Sequence, residues 1–181
     1  MKKDIIIIGT SYGLGNFLFK QLKKKFNVTA WSSKKKLKNI KYINFKKINF
    51  KKELQKYNTI IYCSAISKFK LSKKTKKLSK FINVDIITKI INSLKPNQKL
   101  IYFSTFGVKS IFQNKIPDYI IQKKKIEKKI KNRLKNYFII RPCKIINTIK
   151  VKEIKKNKYF FYKNKYIYLT SYKIILNIIF K

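Results

Sequence analysis

Short uninterrupted apolar runs alternate along the chain with segments whose apolar residues recur every three or four positions. The run DIIIIG at positions 4–9 has the pattern of a strand that is buried on both faces. Directly after it, Leu14, Leu18 and Leu22 share helical spacing, which predicts that a helix follows the first strand at once. Alternation of this kind is typical of βαβ units. We therefore predict an α/β fold, a doubly wound parallel sheet with helices on both faces, with further strands at FNVTAW, KYINF, NTIIYCSA, KLIYFST and NYFIIRP.

The remaining segments complete this pattern. A lysine-rich loop is predicted around Lys70–Lys80, followed by a helix, and a long basic helix is predicted over KKKIEKKIKNRL. The tail KYFFYKNKYIYLTSYKIILNIIF predicts a hairpin over Lys163–Lys165 and a final short helix. The chain shows no internal repeat and no linker, so residues 1–181 are expected to form a single domain.

Lysine dominates the charge of the chain. The formal net charge is +41, and all but two of the 47 basic residues are lysine. Proteins that read nucleic acid favour arginine and cluster their charge on one face, whereas these lysines are spread over every segment. Together with abundant Ile, Asn, Phe and Tyr, this indicates AT-rich codon usage, and nucleic acid is not the partner that we expect. Binding to nucleic acid or to an anionic surface stays open as an alternative, because such a charge attracts anions non-specifically.

Several classes of site are excluded by what the sequence lacks. It has no histidine, which rules out a Ser-His-Asp triad and the usual zinc sites, so no metal is expected. Its six carboxylates are scattered, which argues against a paired-carboxylate hydrolase. No apolar run is long enough for a membrane span or a secretory signal, so we expect no membrane and a cytoplasmic protein, with Cys63 and Cys143 as reduced thiols.

Glycine is scarce, yet three of the four glycines, Gly9, Gly13 and Gly15, fall between the first strand and the first helix. Glycine permits a positive φ and a close approach of a ligand to the backbone. The free N–H groups at a helix N-terminus attract a diphosphate. We therefore predict a dinucleotide site in the glycine loop, by which we mean residues 9–15. The cofactor-binding residues predicted in it are Gly9, Thr10, Ser11, Tyr12, Gly13, Leu14 and Gly15.

The end of the second predicted strand bears on which dinucleotide binds. An acid at this place suits the ribose 2′-hydroxyl of NAD(H), while basic or hydroxyl groups suit the 2′-phosphate of NADP(H). The sequence has Ser32, Ser33 and Lys34 here, with no carboxylate nearby. These three residues are predicted to favour NADP(H) over NAD(H).

The spacing Tyr-x-x-x-Lys occurs at Tyr42, Tyr119 and Tyr159, about as often as chance predicts in a chain so rich in tyrosine and lysine. Only Tyr119 opens a predicted helix, on which Lys123 shares its face, and follows the fifth strand. Together with the spacing G-x-x-x-G-x-G of the glycine loop, this resembles the short-chain dehydrogenase/reductase superfamily. Further matches in the same order are Asn83 in FINVDII, Thr105 in FSTFG and Arg141–Pro142 at the end of the sixth strand.

The resemblance implies a Rossmann-like fold, a nicotinamide cofactor, and Tyr119, Lys123, Thr105 and Asn83 as catalytic residues. A lysine ammonium beside a phenol lowers the pKa of the phenol, so Tyr119 is expected to exchange a proton while hydride moves. Lys123 would also hold the nicotinamide ribose, and Thr105 would bind the substrate oxygen. Asn83 would anchor the backbone or a water relay. The resemblance also places Asn49, Ala65 and Pro142 at the cofactor.

The chain departs from the superfamily pattern at three places. Asn49 stands where an acid often lies near the adenine, Cys143 replaces a glycine, and the chain ends soon after Arg141, which implies a reduced C-terminal substrate region. We expect an oxidoreductase that acts on a carbonyl, an alcohol or a sugar-like small molecule, or an epimerase or dehydratase. A non-catalytic dinucleotide-binding sensor or subunit stays open, and so do a monomer and a homodimer.

Overall fold

The computed structural model describes residues 4–67, 73–109, 116–142, 161–162, 166–167 and 172–180. Within these ranges, one sheet runs through the centre of the molecule. Its strands are β1 (Asp4–Ile8), β2 (Asn27–Ser32), β3 (Lys41–Tyr42), β4 (Thr59–Tyr62), β5 (Lys99–Phe103), β6 (Tyr137–Ile140), β7 (Phe161–Tyr162) and β8 (Tyr166–Ile167).

The strands lie in the order β3-β2-β1-β4-β5-β6-β8-β7. All neighbouring pairs are parallel except β7 and β8, which form the antiparallel hairpin predicted from the tail. The order 3-2-1-4-5-6 is that of a doubly wound Rossmann-like sheet, so the predicted fold class is confirmed. In such a sheet, ligands bind beyond the carboxyl ends of the strands where the strand order reverses, which here is between β1 and β4.

Helices cover both faces of the sheet. The helices are α1 (Gly13–Leu22), α2 (Phe50–Leu54), α3 (Lys73–Lys80), α4 (Ile87–Ser93), α5 (Asp118–Arg133) and α6 (Tyr172–Phe180), and a short 3₁₀ turn spans Phe106–Lys109. A π-helical segment, Phe81–Ile86, joins α3 to α4 without a break.

The prediction of a lysine-rich loop around Lys70–Lys80 was wrong from Lys73 onward, where α3 begins. The apolar spacing that signals a helix is absent there, but lysine is a good helix former. Ser79 is fully buried and donates a hydrogen bond to Gln122 on α5. This contact between segments distant in sequence fixes α3 against α5.

The four consecutive isoleucines of β1 divide between two hydrophobic cores because successive strand side chains point to opposite faces. Ile6 and Ile8 pack in the core beneath α2, α4 and α5, with residues such as Leu100 and Ile126. Ile5 and Ile7 pack in the core beneath α1 and α6, together with Leu18 and Ile175. A strand that serves two cores has no polar face, which explains the uninterrupted run in the sequence.

None of the helices that the structure describes combines the length and the apolar character needed to cross a lipid bilayer.

Candidate functional site

Two of the glycines in the glycine loop are required by the packing of the chain on itself. Gly9 has φ of +96°, and a Cβ there would overlap Ser64 Oγ and lie 2.6 Å from the Ser64 backbone nitrogen. A Cβ on Gly15 would overlap the carbonyl oxygen of Gly9 and lie 3.2 Å from Cys63 Cβ. These glycines therefore let the turn after β1 close against the end of β4.

Gly13 is different because the space beside it is open. It has φ of +60°, and apart from its chain neighbours and the backbone of its own helix, the one described atom within 4 Å of a Cβ built there is Tyr172 Oη, at 3.7 Å. Gly13 is also the first residue of α1, whose N-cap residue Tyr12 makes no side-chain capping bond and whose first turn has no acid. The amide groups at this helix end are therefore available to an anion.

A cavity of about 340 Å³ opens over the glycine loop. It extends to the carboxyl end of β2 on one side and to the chain after β4 on the other. The described lining contains no carboxylate. The lining residues are Gly9, Ser11, Tyr12, Gly13, Leu14, Gly15, Ser33, Lys34, Cys63, Ser64, Ala65, Ile66, Leu78 and Ile82. We call this space the loop cavity.

A second, more apolar cavity of about 200 Å³ adjoins the loop cavity. The two share Ser33, Ser64, Leu78 and Ile82, so they lie side by side along the carboxyl edge of β1, β2 and β4. The second cavity is lined on its far side by Tyr42, the last residue of β3, and by residues 43–46, which follow β3.

The residues at the end of β2, together with the glycine-loop residues that contact them, divide into two groups. Thr10 is fully buried and donates from Oγ1 to the carbonyl of Trp31 at 3.0 Å. Ser32 is also buried, pairs with Ser11 at 2.6 Å between hydroxyl oxygens, and accepts a bond from the Lys34 amide at 2.9 Å. Thr10 and Ser32 thus hold the glycine loop to β2. Ser33 and Lys34 line the loop cavity, with Lys34 Nζ 5.3 Å from the centre of the Tyr12 ring.

Asn83 lies in the π-helical segment and binds the chain that follows β4. Its side chain accepts from the Ile66 amide and donates to the Ile66 carbonyl, both at 2.9 Å. Its Nδ2 also donates to Gln122 Oε1 at 2.7 Å and to Ser79 Oγ at 3.1 Å. Asn83 therefore fixes Ile66, a wall of the loop cavity, relative to α5. π-Helical turns are frequent at functional sites.

Tyr119 and Lys123 lie together on α5, as their spacing predicted. Lys123 is 2% exposed, and its Nζ donates to the carbonyl of Phe103, the last residue of β5, at 2.6 Å. The same atom lies 5.6 Å from the centre of the Tyr119 ring and 4.6 Å from that of Tyr102. The ammonium group is thus held at the carboxyl end of β5 by one carbonyl and two aromatic rings.

Burial acts on the pKa values of this pair in opposite directions. It lowers the pKa of Lys123 from 10.5 to about 7 and raises the pKa of Tyr119 from 10.0 to about 12. The expected lowering of the tyrosine pKa is therefore not what the structure shows in the free protein. The physical reason is that loss of solvent outweighs a lysine that is itself partly neutral at pH 7 and bonded to Phe103.

Thr105 lies just beyond β5, in the turn that leads to Gly107. Its Oγ1 accepts from the Gly107 amide at 3.4 Å, and a Cβ on Gly107 would lie 2.7 Å from Ile120 Cδ1. Thr105 is therefore next to the first turn of α5, where Tyr119 is found. Its neighbour Ser104 is buried, and its hydroxyl has no partner among the described residues.

The other predicted cofactor residues fall in different places. Ala65 lines the loop cavity. Pro142 is buried, and its carbonyl accepts from the Phe106 amide at 3.1 Å, in the turn beside Thr105. Asn49 lines neither cavity, since it is exposed and caps α2 by accepting from the Lys52 amide at 3.2 Å. Cys143 lies outside the described residues.

Sequence reasoning missed a buried ion pair beneath this edge. Glu127 and Arg141 are 3% and 2% exposed, and Arg141 Nε donates to Glu127 Oε1 at 2.7 Å while a second nitrogen pairs with Oε2. The pair ties α5 to the end of β6. A single acid in the basic run KKKIEKKIK and one of only two arginines were the signals that could have revealed it. Gln122, which joins Asn83 to Ser79, carried no comparable signal.

Comparisons with solved structures agree on the fold. The chain superposes on UDP-N-acetylglucosamine 4-epimerase from Methanobrevibacter ruminantium M1, solved with UDP-N-acetylmuramic acid, with a TM-score of 0.65 and 18% identity over 81% of this chain and 57% of that one. For dTDP-4-dehydrorhamnose reductase from Bacillus anthracis, solved with NADP, the TM-score is 0.61 and the identity 22%, over 82% and 56% of the two chains. The chain thus spans little more than half the length of these proteins.

A short-chain dehydrogenase from Burkholderia cenocepacia, solved with NADP, matches over 98% of this chain and 92% of its own length, with a TM-score of 0.68 and 10% identity. No protein-family model and no curated protein sequence matches the chain. The structure therefore has the Rossmann-like fold that NAD(P)-dependent epimerases, reductases and short-chain dehydrogenases share.

Proposed function

We propose that the protein is an NADP(H)-dependent oxidoreductase of the short-chain dehydrogenase/reductase type, acting on a carbonyl, an alcohol or a sugar-like small molecule. The observation that carries this proposal is that Cys63, which lines the loop cavity beside Gly15, lies within electrostatic range of Lys123, although neither Lys123 nor Tyr119 lines that cavity. The charge of Lys123 opposes the rise in the pKa of the Cys63 thiol that burial causes. A ligand in the loop cavity would extend toward α5.

The residues present fit a dinucleotide. The N-terminus of α1 has no side-chain cap, the space beside Gly13 is open, and no carboxylate is found in the described lining of the loop cavity. The amides of the glycine loop would hold the diphosphate. Ser33 and Lys34 would hold a 2′-phosphate, which supports NADP(H) over NAD(H). Ala65 and Pro142 would border the nicotinamide end, and Lys123 would bind its ribose.

When bound, the nicotinamide cofactor supplies or accepts the hydride. Tyr119 would give or take the proton at its phenolic oxygen, and a protonated Lys123 beside it favours the phenolate. Thr105 would donate a hydrogen bond to the substrate oxygen as charge develops on it. Asn83 acts through Ile66 and Gln122, so it is a positioning residue in this structure.

The experiment is a fluorescence titration with NADPH, followed by turnover assays on a panel of carbonyl compounds and nucleotide sugars. Tyr119→Phe is expected to keep NADPH affinity and to lower kcat by about 100-fold or more, because it removes the proton donor alone. The matched control is Tyr57→Phe, which alters a buried tyrosine before β4, at the opposite edge of the sheet. Full activity in Tyr119→Phe would contradict the assigned role.

A non-catalytic dinucleotide-binding module is the second candidate. The raised pKa of Tyr119, about 12, favours it because such a phenol exchanges protons poorly near pH 7. Tight NADPH binding by the wild-type protein with no turnover over the whole panel would establish this candidate over the first.

A further inference from the structure

The last described helix of the chain, α6, packs directly on the helix that carries the glycine loop. Ile175 is fully buried in the core that also contains Leu18 of α1, and Leu176 packs against the same core. At the start of α6, the ring of Tyr172 contacts that of Phe17, with centroids 5.0 Å apart and planes inclined by 34°. These contacts hold the first residue of α6 beside the first turn of α1.

The hydroxyl of Tyr172 lies beside Gly13, which lines the loop cavity, although Tyr172 itself is not among the lining residues. Its oxygen lies 3.7 Å from the position of a Cβ on Gly13, and apart from the chain neighbours of Gly13 and the backbone of its own helix, no other described atom comes within 4 Å of that position. At Gly9 and Gly15 the corresponding space is filled by the chain itself. Tyr172 therefore borders the one glycine of the loop that leaves room for a ligand.

The phenol is suited to donate a hydrogen bond there. Within the described part of the chain, its hydroxyl has no hydrogen-bond partner. Partial burial raises the pKa of Tyr172 above its usual value of 10.0, so the group is neutral and keeps its proton at physiological pH. A neutral hydroxyl beside uncapped helix amides can add a donor to an anion that those amides attract.

We infer that Tyr172 is a further cofactor-binding residue and that its hydroxyl donates a hydrogen bond to the diphosphate of the dinucleotide above Gly13. This inference rests on the proposed function. The ring contact with Phe17 fixes the hydroxyl before the ligand arrives, which reduces the entropy lost on binding.

The position of Tyr172 separates its role from that of Lys34. Gly13 starts α1, whereas Lys34 follows β2 and would meet the 2′-phosphate. NADPH and NADH carry the same diphosphate, so loss of the Tyr172 hydroxyl weakens both by the same factor. Loss of Lys34 weakens NADPH alone.

The test is Tyr172→Phe, which keeps the ring and its packing on Phe17. The variant is expected to bind NADPH and NADH each roughly tenfold more weakly, as a hydrogen bond to a charged acceptor implies, with an unchanged urea unfolding midpoint. In ³¹P NMR at saturating NADPH, the diphosphate resonances should shift between wild type and variant, while the 2′-phosphate resonance stays in place. The control is Asn177→Ala, an exposed position on the same helix, which should change none of these.

Three outcomes would overturn the inference. Unchanged affinity for both dinucleotides would show that the hydroxyl makes no contact, and weaker binding of NADPH alone would assign it to the 2′-phosphate. If the wild-type protein bound neither dinucleotide, the proposed function would fall together with this inference. If the wild-type protein bound both dinucleotides and Tyr172→Phe bound them with the same affinity, the inference alone would fail.

Discussion

The glycine loop and the end of β5 are built in different ways. The loop is fixed by sterics, since Gly9 and Gly15 bring the backbone so close to Ser64 and to itself that no side chain fits. The β5–α5 edge, by which we mean Asn83, Thr105, Tyr119 and Lys123, is fixed by buried polar contacts such as that of Lys123 with the Phe103 carbonyl. The comparison teaches that the shape of the glycine loop does not depend on pH, while the charge of Lys123, whose pKa burial lowers to about 7, does.

The largest effect is expected from filling the space at the first glycine. Gly9→Ala should lower the free energy of unfolding by about 3–4 kcal/mol, because the Cβ meets Ser64 and the residue keeps φ near +96°. Gly13→Ala is the matched control and should cost only about 1 kcal/mol, since its Cβ enters open space and only the positive φ is unfavourable. Urea unfolding measures both. Equal losses would show that the loop is not held by close packing.

On the other side of the comparison, the ion pair beneath the β5–α5 edge is expected to give the next largest effect. Glu127→Gln leaves the Arg141 charge buried without its carboxylate and should destabilise the fold by about 3 kcal/mol. The double variant Glu127→Leu, Arg141→Met removes both charges and should recover most of that loss. Chemical denaturation of the two variants measures both losses in the free energy of unfolding. If the single and double variants were equally unstable, packing and not charge would hold α5 to β6.

The smallest effect concerns the dependence of the free energy of unfolding on pH, which is expected from Lys123 at the β5–α5 edge. Because the pKa of Lys123 is about 7 in the folded protein and 10.5 in the unfolded chain, the unfolded chain binds more protons between these values. The free energy of unfolding should therefore rise by about 1 to 2 kcal/mol between pH 7 and 8.5 from this residue, and Lys123→Met should abolish that rise. Above this window, the raised pKa of the Cys63 thiol acts in the opposite direction. Identical pH profiles of wild type and variant would contradict the assignment.

The two regions also differ in how far the sequence predicts them. The glycine loop is predictable from local signals, namely a strand of four isoleucines, a cluster of glycines and a helix that begins directly after them. The pair Tyr119 and Lys123 was located by helical spacing, but the inward bond of Lys123 to Phe103 was not, because it depends on how α5 docks on a strand twenty positions earlier. The Glu127–Arg141 pair escaped prediction for the same reason.

Errors in the prediction also arose where packing between distant segments determines structure. The lysine-rich stretch was read as a loop from its lack of apolar spacing, whereas its helix is fixed through Ser79 and Gln122. The place of Asn49 at the adenine, which the resemblance implies, stays a prediction. In the structure Asn49 caps α2, while Tyr42 and residues 43–46 line the second cavity.

The π-helical segment Phe81–Ile86 has a consequence for the register of the chain. Its i→i+5 bonding accommodates one residue more than an α-helical turn would. Deleting one of the residues 84–86 would let the segment close as an α-helix, in which α3 keeps its direction but Asn83 moves relative to α4, whose Ile87 and Ile90 are anchored in the core. The bonds of Asn83 to Ile66 and Gln122 could then not form. The length of this segment is thus constrained as strictly as the identity of its asparagine, because a chain that kept Asn83 but lost a residue between it and α4 would lose the contact between the wall of the loop cavity and α5.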